Sequence, residues 1–396
     1  MNPMPIAAAM LWRYRVTLGF FVVLIAFAIA LGLSLTMLER ALRQGSARAS
    51  DQFDLVVGAP GSVTDLVLSA VYLRTSSLPL VTPEAFAEAL AAEQANFVAP
   101  IAFGDRVGFS PVIGTTADLV ASLSPDLAEG SIFAARDEAV VGASVAVEPG
   151  ETIQPAHAHG GADLPVTRMT VVGRMAPTGT PWDNAVIVPI EQYWLTHDLP
   201  VGHPPGDESI GPPFDVNHLA GVPAIVIDAA NIGSAYGLRN QFRSEATTAV
   251  FPAEVLVELY GFMADGRAVL LWVVTAVQGL ILVAIIAGLA LIVQLNAGRL
   301  ALLRALGAPR LFVASAVWTF SLTVIVAGVL LGLVAGVLAT LVLGQWAQAE
   351  LGIALPFSLT REDVELALLA TAAAALLSVV PALASYRRNP VAALSH

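Results

Sequence analysis

The chain has 396 residues, 56% of them hydrophobic and only 13% charged, with a formal net charge of −12. That acidic balance argues against nucleic acid as a partner and against charge-driven docking on anionic lipid headgroups. The absence of cysteine excludes a disulfide framework, and the absence of lysine among the 19 basic residues excludes a P-loop, whose lysine reaches the nucleotide phosphates.

In chain order, residues 1–15 form a short N-terminal stretch with Arg13 and Arg15, and 16–38 is an apolar run long enough to cross a bilayer. The run exceeds the roughly 7–15 residues of a signal-peptide core, so an uncleaved anchor is expected. Residues 39–265 have ordinary globular composition and read as an α+β domain. Its early strand Phe53–Gly58 ends in the turn-rich Ala59-Pro60-Gly61-Ser62. A helix is predicted from Pro83, capped by Thr82, with Glu84 at the positive end of its dipole. Short strand patterns then dominate about 101–220, which reads as a β-rich insertion. A β-α-β-α ending follows, and its last helix leads toward the membrane.

Three further apolar runs follow at 268–295, 311–343 and 364–384. They are separated by 296–310 and 344–363, and a tail at 385–396 comes last. The third run is longer than one crossing requires, but no polar turn divides it, so it reads as one helix starting in the interface. Pro381 is a candidate kink in the fourth.

The acid-free tips are Arg13 and Arg15, then Arg299, Arg304 and Arg310, then Arg387 and Arg388. Every Asp and Glu lies within 39–265 or 350–365. By the positive-inside rule both termini and the 296–310 loop are cytoplasmic, and 39–265 lies outside. The expected fold is an integral membrane protein of four transmembrane helices, with a large α+β extracytoplasmic domain inserted between the first and second. The expected location is the cell inner membrane. The span interiors carry no charged residue, which counts against an intramembrane ion pathway.

Three local patterns carry functional expectations. Gly328, Gly332 and Gly336 repeat at four-residue spacing, which suits close helix packing in lipid, within one chain or between two. In 296–310, Leu300, Leu303 and Leu306 recur at helical spacing beside Arg299 and Arg304. Gly307 suits a left-handed cap and Pro309 discourages continuation toward Arg310. The result is a short amphipathic helix at the membrane base, either a handle for a soluble motor or a basic interfacial anchor. His157 and His159, close to Asp163, could ligate zinc or copper, or could belong to a solvated polar loop. Motifs for hydrolytic catalysis, Gly-x-Ser-x-Gly and His-Glu-x-x-His, are missing.

The run Ala301-Leu302-Leu303-Arg304-Ala305-Leu306-Gly307-Ala308, followed by a long Gly-rich span, resembles the permease signature of the FtsX/MacB/LolC-like ABC transporter superfamily. The C-terminal Asn389-Pro390-Val391-Ala392-Ala393-Leu394 is similar to the closing Pro-x-x-Ala-Leu of that superfamily. Asp54–Ser62, Val112–Thr116, Ala139–Gly142 and Val171–Gly173 resemble pieces of its MacB-like periplasmic core domain. Two positions depart from the pattern: Arg299 and Ala392 stand where the superfamily usually has an acid.

The resemblance implies a non-catalytic permease subunit that binds no cofactor itself. ATP and Mg are handled by a separate ATPase subunit, whose closure pushes the cytoplasmic helix and the Pro390–Leu394 tail. A second permease chain, the same or related, is implied, with membrane lipid around it and a periplasmic adaptor or substrate-binding partner as a further candidate. Export or extraction of a lipoprotein, lipid, peptide or drug is the expected role. Activation of an external partner such as a cell-wall hydrolase, and metal-linked transport through the His-containing loops, stand as alternatives.

Overall fold

The computed structural model describes residues 3–74, 76–157, 168–351 and 360–379. The chain divides into two compact units. One comprises Met1–Ala41, Ala264–Trp346 and Phe357–His396, and the other Leu42–Met263 and Ala347–Pro356.

The second unit is built on an 11-stranded sheet. Its strands are β1 (Leu55–Gly58), β2 (Ala95–Val107), β3 (Ser110–Thr115), β4 (Leu127–Gly130), β5 (Glu138–Val141), β6 (Thr152–Ile153), β7 (Ala156–His157), β8 (Met169–Met175), β9 (Val186–Pro189), β10 (Ala224–Ala229) and β11 (Thr248–Val250). They run in the order β11-β1-β10-β2-β3-β9-β5-β8-β4, with β6 on β8 and β7 on β2. The pairs β3–β9 and β5–β8 are parallel, and the other pairs are antiparallel. The long strand β2 joins two groups: Ala95–Ile101 pairs with β10, and Ala102 onward pairs with β3.

Both faces of the sheet are covered, which explains why β1 and β10 read as continuous apolar runs. Successive strand residues point to opposite faces. Val56, Ala224 and Val226 enter one apolar cluster with Leu66, Val67 and Trp182, while Leu55, Val57, Ile225 and Ile227 enter another with Phe86 and Trp194. The covering helices have local reasons to start where they do. Ser62 accepts the Asp65 amide ahead of helix Val63–Ala70, Thr82 accepts the Ala85 amide ahead of Pro83–Leu90, and Asn231 accepts the Ser234 amide ahead of Ile232–Gln241. Helix Val63–Ala70 directly follows the turn Ala59–Ser62, and its cap is the turn's own last residue. Two further helices, Ala117–Leu123 and Ile190–Thr196, complete the layers.

Glu191, at the start of the last of these, is buried at 1% exposure. Its Oε1 accepts the Gly211 amide at 2.6 Å and lies 3.5 Å from Nε2 of His203, which is itself buried. Burial holds the Glu191 carboxyl above its ordinary value of 4.5, against the opposing pull of the Gly211 amide and His203. A carboxyl raised in the folded state binds its proton more tightly there than in the unfolded chain. Stability therefore falls as pH rises above 4.5, until the folded value is passed. Glu191→Gln is expected to flatten this dependence and to raise the melting temperature near neutrality by a few degrees. Thermal unfolding of both proteins across roughly pH 4–8 checks it, and parallel pH profiles would contradict it.

The first unit is helical. It contains Met4–Arg13, the part of Arg15–Ser50 up to Ala41, the part of Pro252–Leu295 from Ala264, Ala297–Ala305, the part of Arg310–Leu351 up to Trp346, and Arg361–Leu377. Among the described residues, 3 helices are long and apolar enough to cross a membrane: Arg15–Ser50, Ala268–Leu295 and Leu311–Trp346. The fourth expected span, 364–384, is described only in part. Its residues up to Leu377 belong to the 17-residue helix Arg361–Leu377, and those from 380 onward lie outside the described residues. The stretches 39–50 and 254–265 are helical and continue the apolar helices next to them without a break. Much of 1–15 is also helical: Met4–Arg13 buries Ala7 and Met10 and leaves Trp12 exposed.

Candidate coupling face

The loop between the second and third apolar helices holds seven of the residues singled out in the sequence. Helix Ala297–Ala305 follows Asn296, where the preceding helix ends. Asn296 is 4% exposed and donates from Nδ2 to the Tyr14 hydroxyl at 3.0 Å and to the Ile292 carbonyl at 2.8 Å. Its Oδ1 accepts from Arg299 Nη1 at 3.4 Å. This buried amide ties helix Ala297–Ala305 to Tyr14, just ahead of the first long helix. Its signal in the sequence is a lone amide directly after an apolar run.

The leucines of this segment face different ways. Leu300 is buried in a cluster with Val293, Val313 and Val317, and Leu303 packs against that cluster. Leu306 is 78% exposed, and Leu302, absent from the sequence-based set, is 54% exposed. Each three-residue step falls about 60° short of a full turn of an α-helix. Leu306 is therefore rotated about 120° from Leu300, which separates the inward anchor from the outward tip. Gly307 has φ +97, and the Ala308 amide donates to the Leu303 carbonyl at 3.0 Å. Only the left-handed turn at Gly307 allows that closing bond, so the exposed Leu306 is held at a rigid helix end. Arg299 is exposed beside Leu302. Arg304 lies on this helix and Arg310 begins the next; the side chains of both are outside the described set. Pro390 and Leu394 also lie outside the described residues.

Gly328, Gly332 and Gly336 face the first long helix of the same chain. A Cβ added at Gly328 would stand 2.6 Å from Ile25 Cβ. One at Gly332 would stand 2.8 Å from the Ala26 carbonyl oxygen, and one at Gly336 would stand 3.2 Å from Ala30 Cα. Ser34 Oγ donates to the Gly336 carbonyl at 3.2 Å across the same contact. The glycine face is thus occupied within one chain, and a second copy of the chain would have to use another face.

His157 lies on β7, with its side chain outside the described set, and His159 is outside the described residues. Among the described residues, no group of three or more His, Cys, Asp or Glu side chains is placed to hold a metal ion.

The profile of the MacB-like periplasmic core domain family matches residues 16–230. Among solved structures, the periplasmic region of MacB from Actinobacillus actinomycetemcomitans aligns at 9% identity and a TM-score of 0.34, covering 53% of this chain and 95% of that one. The extracellular domain of the noncanonic ABC-type transporter YknZ from Gram-positive bacteria aligns at 11% identity and a TM-score of 0.30, covering 50% of this chain and 98% of that one. Comparison with curated protein sequences returns no match.

Proposed function

The chain belongs to the family of the MacB-like periplasmic core domain, and from that premise we propose that it is the permease subunit of an ABC transporter of the MacB/FtsX-like class. Its 39–265 domain faces the periplasm, its termini and the 296–310 loop face the cytoplasm, and it sits in the inner membrane. A separate ATPase subunit binds ATP and Mg and hydrolyses the nucleotide. A second permease chain, identical or related, completes the membrane part. The work done is export or extraction of a lipoprotein, lipid, peptide or drug.

The observation that carries this reading is the outward edge of helix Ala297–Ala305. Leu302 and Leu306 are exposed there, while Leu300 anchors the same helix to its own bundle. An apolar edge held on a rigid helix between two spans suits a soluble partner that pushes. The test is to replace both outward leucines, as Leu302→Glu with Leu306→Glu, and to purify the chain with its ATPase. Co-purification and substrate-stimulated ATP turnover are expected to fall at least about tenfold, equivalent to about 1.4 kcal/mol or more. The melting temperature of the chain alone should not move, because neither side chain is packed. Wild-type coupling in that double variant would remove the assignment.

A further inference from the structure

A cleft of about 430 Å³ lies within the 39–265 domain, lined by residues from the end of helix Ile232–Gln241 and the turn after it, from β11 and from the first turns of helix Pro252–Leu295. That volume falls in the usual range for small-molecule sites, about 300–1,000 Å³. Arg239 Nη1 donates to Glu254 Oε2 at 2.9 Å, and its guanidinium stands over the Phe251 ring, 4.8 Å from the centroid. These two charges are therefore already partnered. Arg243 and Glu258 each follow one of them by four residues and line the same cleft. Both are exposed, and among the described residues neither has an ion-pair partner, not even the other. Most of the remaining lining is apolar, with Val63, Val250, Val255, Leu259 and Phe262. Leu259 and Phe262 share a helix face, three residues apart, and Phe262 is 79% exposed.

We propose that this cleft binds the headgroup of a zwitterionic phospholipid with a primary ammonium, of the phosphatidylethanolamine kind. The guanidinium of Arg243 matches a phosphate, and the carboxylate of Glu258 matches an ammonium. One open charge of each sign selects a zwitterion over an anion, in keeping with a net charge of −12 that disfavours anionic headgroups. A primary ammonium can donate hydrogen bonds to Glu258. A quaternary one is held by several aromatic faces, and Phe262 is the one aromatic residue in this lining. The cleft has room for a headgroup and its glycerol, so the acyl chains leave it along Leu259 and Phe262. The helix that carries these two residues runs unbroken into the apolar stretch Ala268–Leu295. Six residues, about 9 Å of helix, separate Phe262 from that stretch. A phospholipid is the zwitterion whose apolar part belongs where this helix leads. The inference rests on that helix entering a bilayer, as proposed above, and not on partnership with an ATPase.

The test uses the full chain, purified in detergent, stripped of lipid and titrated by calorimetry with dihexanoyl phosphatidylethanolamine below its micelle concentration. One saturable lipid per chain is expected. Arg243→Gln, Glu258→Gln and Phe262→Ser should each weaken binding at least about tenfold. All three side chains are exposed, so the variants should keep the wild-type melting temperature. Arg361→Gln removes an exposed arginine outside the cleft and should bind as the wild type does. Dihexanoyl phosphatidylglycerol, which lacks the ammonium, should bind at least about tenfold more weakly than the ethanolamine lipid. The Leu302→Glu, Leu306→Glu chain should keep wild-type lipid affinity, which separates this site from the coupling face. Absence of saturable binding by the wild type would overturn the proposal, as would unaltered affinity in Arg243→Gln and Glu258→Gln. Glycerophosphoethanolamine, the headgroup without chains, binding as tightly as the lipid would overturn the lipid assignment and leave a site for a soluble zwitterion.

Discussion

Gly332→Leu is expected to prevent the first and third long helices from packing, with a loss of stability at or beyond the upper end of the range for overpacked cores, about 1–3 kcal/mol. The reason is which atoms are in the way. A Cβ at this position would stand 2.8 Å from the Ala26 carbonyl oxygen and 3.0 Å from Ala26 Cα. Backbone atoms cannot rotate aside as a side-chain tip can, so the two helices must separate. In lipid, separation forfeits the dispersion contacts that hold helices together. It also breaks the bond from Ser34 to the Gly336 carbonyl. Gly336→Ala should be milder, since its closest contact is the Leu33 side-chain tip at 3.0 Å. Gly279→Leu tests the site-dependence, because nothing lies within 4 Å of a Cβ there. Equilibrium unfolding of the three variants in mixed micelles gives the ranking. A Gly332→Leu chain as stable as the Gly279→Leu chain would contradict the argument.

These contacts mark how far the sequence could be read. The long apolar helices were legible because a bilayer imposes length and composition with few exceptions, and the helix start at Thr82–Pro83 was legible because capping is a local matter. The partner of the glycine face was not. Four-residue spacing says that a face is smooth, but nothing local says whether Ile25, Ala26 and Ile29 of the same chain or a second chain lies against it. The directions of Leu300 and Leu306 were hidden for a similar reason. Both are leucines at helical spacing, and only the positions of Val313 and Val317 on the next helix decide which is inside. Asp105 Oδ2 lies 3.1 Å from Nε2 of His197; that contact depends on a register slip at Gly104 and on a helix 85 residues further along, and no pattern in the sequence encodes it.

The second large effect concerns an ion pair that joins Arg40 of the first long helix to the start of helix Arg361–Leu377. Arg40 donates from Nη1 and Nη2 to the two carboxylate oxygens of Asp363, at 2.9 and 2.8 Å. Oδ2 of the same carboxylate also accepts the amide and the hydroxyl of Thr360, at 2.9 and 2.8 Å. Asp363 therefore caps its own helix and binds the arginine at once. Its side chain is wholly buried, whereas that of Arg40 is 24% exposed. Bidentate charge-assisted bonds of this kind are the strong class of hydrogen bond. Breaking a buried pair from one side typically costs about 3–5 kcal/mol, because the remaining charge is stranded. Partial exposure of Arg40 lowers that figure, so Arg40→Ala is expected to cost about 2–3 kcal/mol. Asp363→Ala should cost more, since it also removes the acceptor of both Thr360 bonds and frays the helix start. Asp363→Asn separates the two effects: it keeps an acceptor for Thr360 and loses the charge. In the Arg40→Ala, Asp363→Ala double variant the losses should fall short of their sum, because the second substitution removes a partner already abandoned. Denaturant unfolding of the four chains measures this coupling directly. Additive losses would mean that the two side chains act independently, and that this ion pair does not hold the first long helix to Arg361–Leu377.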